Sequence, residues 1–172
     1  MLKTFGAVLI LLATAGFICC MIRQLREHDR QLLLWKEYLW KLQNGMEGWN
    51  SLLTELFEEL SHTAEAPFAE FFEEMAENLK KYERSDIDRL WCEIAKNYQK
   101  QFMWRRDEWE IFLDSGKLLS LHDKEMILKE GKLLSDRMSF FIQKAQKETR
   151  EREKVSIYLS LSAGIMLILL LV

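Results

Sequence analysis

Two runs without a single charged side chain lie at opposite ends of this 172-residue chain and bracket everything else in it. Residues 4–22 read TFGAVLILLATAGFICCMI, and residues 155–172 read VSIYLSLSAGIMLILLLV. At about 1.5 Å of rise per helical residue, each run would span roughly 27–29 Å, close to the hydrocarbon thickness of a bilayer. The expectation is one transmembrane helix from Leu2 to Ile22 and another from Val155 to Val172. The domain layout is then 1–22, 23–154 and 155–172. The middle region holds every acidic residue and every basic one except Lys3.

The first run has a rival reading as a secretory signal, with Lys3 as its basic start and Ala13-Thr14-Ala15 as its cleavage site. The apolar stretch continues from Phe17 to Ile22 beyond that site, which favours an uncleaved anchor. Orientation follows from the basic residues beside each run. Arg23, Arg26 and Arg30 flank the first; Lys144, Lys147, Arg150, Arg152 and Lys154 flank the second. By the positive-inside rule the middle region faces the cytoplasm at a cell membrane. Cys19 and Cys20 are neighbours inside the first run, and Cys92 stands apart, so no disulfide framework is called for.

One proline and seven glycines in a chain rich in Leu, Glu and Lys exclude a turn-rich β architecture. The formal charge of -3 lacks the basic excess of a nucleic-acid binder. The expected fold is all-α: an antiparallel bundle of about six helices flanked by two transmembrane helices. Leu25, His28, Leu32, Trp35, Leu39 and Leu42 recur at spacings of 3 and 4, a heptad seam ended by Asn44-Gly45. A second helix starts near Asn50 or Ser51 and buries Leu52, Leu53, Leu56, Phe57 and Leu60, with a loop over 61–66. Pro67 opens a third at the first helical position, with Phe68, Phe71, Phe72, Met75, Ala76 and Leu79 on one face. A fourth, capped by Ser85 with Asp88 three residues on, carries Ile87, Leu90, Trp91, Ile94, Ala95 and Tyr98. A fifth runs around 106–115, buries Trp109, Phe112 and Leu113, and stops at Gly116. The last begins near Asp123, carries Ile127, Gly131, Leu134, Met138, Phe141 and Ala145, and continues without a stop into the second apolar run. The two rods would enter the bilayer side by side, with Ser160 and Gly164 as a small-residue pair in the second span.

Catalytic patterns are sparse. Glu59 and His62 have the Glu-x-x-His spacing of carboxylate di-metal bundles, but such sites need two of these motifs and two further inward glutamates. His28 and His122 follow leucines at that spacing, so the set is incomplete. No nucleophile elbow, phosphate-binding loop or Cys-x-x-Cys pair occurs. The expectation is a non-enzyme with no cofactor, no metal and no small-molecule substrate. A membrane-anchored metal-binding or enzymatic bundle is the alternative from another class, and a generic membrane-tethered scaffold for envelope or division is a third.

Charge is unevenly placed. Nine glutamates and no Lys or Arg lie between Leu42 and Leu79, followed by eight basic against four acidic residues from Lys80 to Arg106. Either the faces are simply solvated, or the acidic helices receive a basic partner. Glu55, Glu58, Glu59, Glu70, Glu73, Glu74 and Glu77 are the candidate docking residues. Trp35, Trp40, Trp49, Trp104 and Trp109 are too many for one small core, so some are expected on contact surfaces or near the headgroups.

The stretch from Phe112 to Asp123 resembles the L-x-x-L-G-x-x-L-G-x-S-D motif of the stage III sporulation protein AB family. The corresponding residues are Phe112, Gly116, Leu119, Ser120, His122 and Asp123; Gly116 and Asp123 match, Ser120 replaces the second glycine, His122 a serine, and Met126 a glutamine. Tyr158, Leu159, Ser160 and Gly164 are similar to the family's tail, and Trp91 matches its middle-helix tryptophan. The resemblance implies a component of the complex linking mother cell and forespore during sporulation. It also implies a middle domain similar to the cytoplasmic domains of the type II secretion inner-membrane platform protein, which anchors a cytoplasmic hexameric ATPase. By that analogy the partners are the lipid bilayer, the ATPase stage III sporulation protein AA and other stage III sporulation membrane proteins. The location would be the mother-cell membrane around the forespore.

Overall fold

A computed structural model of the chain describes residues 2–45, 52–81, 87–121 and 123–171, with side chains for 12–45, 53–81, 87–121 and 123–166. The described residues form six helices and no strand: α1 (Leu2–Gly45), α2 (Leu52–Thr63), α3 (Phe68–Leu79), α4 (Ile87–Tyr98), α5 (Arg106–Leu119) and α6 (Lys124–Leu171). The all-α expectation and the helix count agree with this. Among the described residues no helix is long and apolar enough to cross a membrane. The described side chains take in residues 12–22 of the first uncharged run and 155–166 of the second.

The chain divides into two compact units, one of residues 31–142 and one of residues 1–30 with 143–172. In the first, the heptad seam of α1 buries Leu32, Trp35, Leu39 and Leu42. The three-four spacing of α3 buries Phe68, Phe71, Phe72, Met75 and Ala76, and α4 buries Ile87, Leu90, Trp91, Ile94 and Ala95. These stripes meet around an aromatic cluster. Trp91 lies 4.7 Å from Phe71 and 5.1 Å from Phe112, and Trp35 lies 4.6 Å from Phe112. Each such side chain contributes about 1.5–3 kcal/mol by leaving water, and each edge or offset pairing adds about 0.5–1.5 kcal/mol. Trp91 Nε1 donates to the Phe112 carbonyl oxygen (2.9 Å), so its one polar atom is satisfied inside the core.

Several local expectations need correction. Helix α2 continues through Ser61 to Thr63, where the Ser61 and Thr63 hydroxyls donate back to the carbonyl oxygens of Glu58 and Glu59. Pro67 is the N-cap of α3 and not its first helical residue. Gly116 does not stop α5. It lies buried inside that helix, which closes four residues later at Ser120. On α6, Ile142 is buried and Phe141 only half-buried, so the seam drifts by one position. Proposed caps at Asn50, Ser51 and Ser85, and Trp49, lie outside the described residues.

In the second unit α1 and α6 run antiparallel. Arg26 Nε donates to Glu153 Oε1 (2.9 Å), and Ser156 Oγ lies 3.0 Å from Met21 Sδ. Further along, a methyl placed on Gly164 would sit 3.8 Å from Thr14 Oγ1. Among the described residues here the buried positions are small or polar: Ala145, Thr149, Ser156 and Gly164. Large apolar side chains face outward, with Leu12 69% exposed, Phe17 65% and Tyr158 72%.

Candidate partner-docking surface

The acidic residues lie on the outer faces of α2 and α3, opposite the stripes that enter the core. Glu55 and Glu59 are exposed four residues apart on α2; Glu70, Glu73 and Glu77 are exposed three and four apart on α3. Glu58 and Glu74 are half-buried. Of the seven, only Glu58 forms an ion pair with a described residue: its Oε1 meets Lys80 Nζ at 2.5 Å. That hydrogen bond and its charge raise the Lys80 ammonium above its ordinary value. The structure therefore brings the seven glutamates onto one helix pair and neutralises one of them.

Two residues that sequence reasoning did not single out tie α4 to this acidic pair. Tyr98 donates its hydroxyl hydrogen to the Glu70 carbonyl oxygen (3.2 Å), and Asn97 Nδ2 donates to Glu74 Oε1 (3.3 Å). Burial pushes the Tyr98 phenol up, and the Glu74, Glu70 and Glu73 carboxylates push it further, because a phenolate would face their negative field. Tyr98 was visible in the sequence only as the last position of an apolar stripe. An aromatic with a polar tip at a helix end is the pattern that points to such a tie.

The motif residues have structural work. Gly116 packs beneath Trp91: a Cβ there would lie 2.7 Å from the indole Cγ and Cδ1, closer than atoms can approach. No described glycine has positive φ, so close approach and not backbone freedom is what requires glycine here. Leu119 is 6% exposed. Ser120 caps α5, its hydroxyl donating to the Lys117 carbonyl oxygen (2.8 Å). Asp123 opens α6, its carboxylate accepting from the Glu125 backbone N–H (2.9 Å). His122 lies outside the described residues, and Met126 is exposed. Nearby, burial alone would raise the Asp114 carboxyl, but Lys117 and Arg137 outweigh it and hold it below its usual range. From Leu2 to Ile22 the chain lies in α1; from Val155 to Leu171 it lies in α6, and Val172 is outside the described residues.

Of the other candidates, Glu59 and His62 are both exposed on the last turns of α2. Among the described residues no three His, Cys, Asp or Glu side chains gather as metal ligands. Burial raises the Cys92 thiol, and Asp88 raises it further, which works against a nucleophilic thiolate. Among the tryptophans, Trp35 and Trp109 are core, Trp104 is half-buried, and Trp40 is 62% exposed. Not all of them are core, as their number suggested.

The family model described as stage III sporulation protein AB matches residues 3–172. Stage III sporulation protein AB of Bacillus subtilis (strain 168) is 25% identical over 171 residues, 99% of each chain. A solved structure titled stage III sporulation protein AB shares the fold with a TM-score of 0.64 at 18% identity, covering 70% of this chain and 94% of that one. With Gly116 and Leu119 buried in α5 and the match running almost end to end, the chain belongs to the stage III sporulation protein AB family.

Proposed function

We propose that this sporulation protein is a non-enzymatic, membrane-anchored assembly component of the complex joining mother cell and forespore, and that the α2–α3 face docks a cytoplasmic ATPase. In this reading residues 1–22 and 155–172 span the mother-cell membrane, and residues 23–154 form the cytoplasmic domain. Family membership supports the sporulation role. The uncharged runs and the outward-facing apolar side chains on α1 and α6 support the anchoring, because lipid is the solvent in which that surface carries no penalty.

The observation that carries the docking role is the paired acidic stripe of Glu55 and Glu59 with Glu70, Glu73 and Glu77, exposed and without ion-pair partners among the described residues. Such a face steers a basic partner and fixes its register. The ATPase of the same sporulation stage, stage III sporulation protein AA, is the partner to test. Replacing Glu55, Glu58, Glu70 and Glu73 with Lys in the detergent-solubilised full chain should abolish its co-purification with that ATPase, while helicity by circular dichroism stays unchanged. Binding that survives all four reversals would remove this face from the mechanism.

A further inference from the structure

Lys147, Arg150 and Lys154 occupy offsets 0, 3 and 7 of α6, so they form one stripe along the helix. All three are exposed, and with Gln143, Gln146 and Glu151 they line an open groove of about 320 Å³. Three cations against one carboxylate make the groove basic. Of the other acids in this stretch, Glu148 does not line the groove, and Glu153 is turned to the other rod, where it pairs with Arg26 at 2.9 Å. Immediately after Lys154 the helix surface changes character: Val155 is 56% exposed, Tyr158 72% and Leu159 64%. A basic groove thus abuts an apolar surface on the same helix, within one helical turn.

We infer that the Lys147–Arg150–Lys154 groove seats the phosphate groups of anionic phospholipids at the surface of the bilayer. This rests on the reading that residues 155–172 enter that bilayer. The physics is charge complementarity combined with position. Headgroup phosphates lie where the hydrocarbon ends, and the stripe lies where the apolar surface begins. Long Lys and Arg side chains can hold their stems along that boundary while their charged heads meet phosphate oxygens. Arg offers a bidentate fork to one phosphate, and the flanking lysines act as point charges. Each basic residue beside an anionic surface strengthens binding roughly fivefold, so three acting together outweigh the single Glu151 in the groove.

The test uses the full chain reconstituted in vesicles of phosphatidylcholine with a minority of phosphatidylglycerol, then extracted with its bound lipid into mild detergent. The lipid retained per protein is measured by mass spectrometry. The wild-type chain should retain phosphatidylglycerol over phosphatidylcholine by about tenfold or more, falling as salt is raised. The Lys147→Gln, Arg150→Gln, Lys154→Gln variant should lose most of that preference. A variant with the same charge loss elsewhere, Lys81→Gln, Lys96→Gln, Lys100→Gln, should keep it. Alkaline extraction of the same vesicles separates the two layers of the argument. Protein released by alkali overturns the spanning reading and this inference with it. Protein that stays in the membrane but shows no preference, or one equally strong in both variants, overturns the groove alone. A preference that appears only when a second copy's acidic helices are removed by Glu55→Lys and Glu70→Lys would assign the groove to self-association and also overturn it.

Discussion

In residues 31–142 the core is built of large side chains, with Trp35, Trp91, Phe57, Phe68, Phe71, Phe72 and Phe112 fully buried. Among the described residues of the unit of 1–30 and 143–172, the buried positions are Ala145, Thr149, Ser156 and Gly164, and large apolar residues face out. The first pattern is that of a domain folded in water, where each aromatic gains by leaving solvent. The second is its inverse. It is the arrangement that two helices would adopt in lipid, where turning leucines toward each other gains nothing and small residues allow a close seam. In water the same surface would leave a long apolar face exposed, at about 25 cal/mol for each Å². The contrast is the one that the proposed anchoring requires, with water around one unit and lipid around the other.

The comparison breaks first at the aromatic core. Trp91 is fully buried and hydrogen-bonded, so Trp91→Ala should cost about 3–5 kcal/mol. Urea unfolding followed by far-ultraviolet circular dichroism would measure it; a loss under about 1 kcal/mol would mean that the core is not packed as described.

Next comes a charge on the outward face of the other unit. Leu161 is 56% exposed near the middle of its uncharged run. In water Leu161→Lys should be near neutral, within about 0.5 kcal/mol. In a bilayer it should oppose insertion by about 2.5–3.5 kcal/mol. A glycosylation-based insertion assay distinguishes the two, and unchanged insertion would contradict the lipid-facing assignment.

Glycine substitutions sharpen the contrast at smaller scale. Gly116→Ala drives a methyl into the Trp91 ring and should destabilise by about 1–3 kcal/mol, read from the same urea curves. Gly131→Ala should cost less, because the obstacle there is the end of the flexible Gln43 side chain, which can swing away. Gly164→Ala meets only ordinary contact with Thr14 and should be neutral or gain up to about 1 kcal/mol of helix stability. If all three cost the same, the two seams do not differ in tightness.

The smallest effects are those of pH. Asp114 has its folded value lowered, so its contribution is present above the unfolded value of about 3.8 and is lost as pH falls through the folded one. Tyr98 has its folded value raised, so its contribution is present below about 10 and is lost as pH rises above that. Each is worth under about 1 kcal/mol after solvent screening. Asp114→Asn should flatten the acid limb and Tyr98→Phe the alkaline limb of a stability–pH curve. A limb that keeps its slope would show that the group is not coupled to folding.

Much of the fold was legible because stripes at three-four spacing map directly onto buried faces. Phe68, Phe71, Phe72, Met75 and Ala76 are all core, as their periodicity required. Reading failed where a residue type serves two purposes. Gly116 resembles a helix stop because glycine ends many helices, yet here it makes room for a ring twenty-five positions earlier in the chain. The acidic surface was legible as a run without Lys or Arg. Its ties to Tyr98, Asn97 and Lys80 were not, since they depend on which helices lie side by side.

What the sequence determined by itself was the local and periodic part: helix throughout, the buried faces, the uncharged ends and the placement of charge. Backbone preference and amphipathic spacing act within a few turns, so they can be read along the chain. Only the tertiary structure decided that Trp91 covers Gly116, that Glu153 turns to Arg26 and leaves a basic groove beside it, and that the rods meet through small residues. Those outcomes depend on contacts between distant segments, which packing selects and which no stretch of sequence encodes alone.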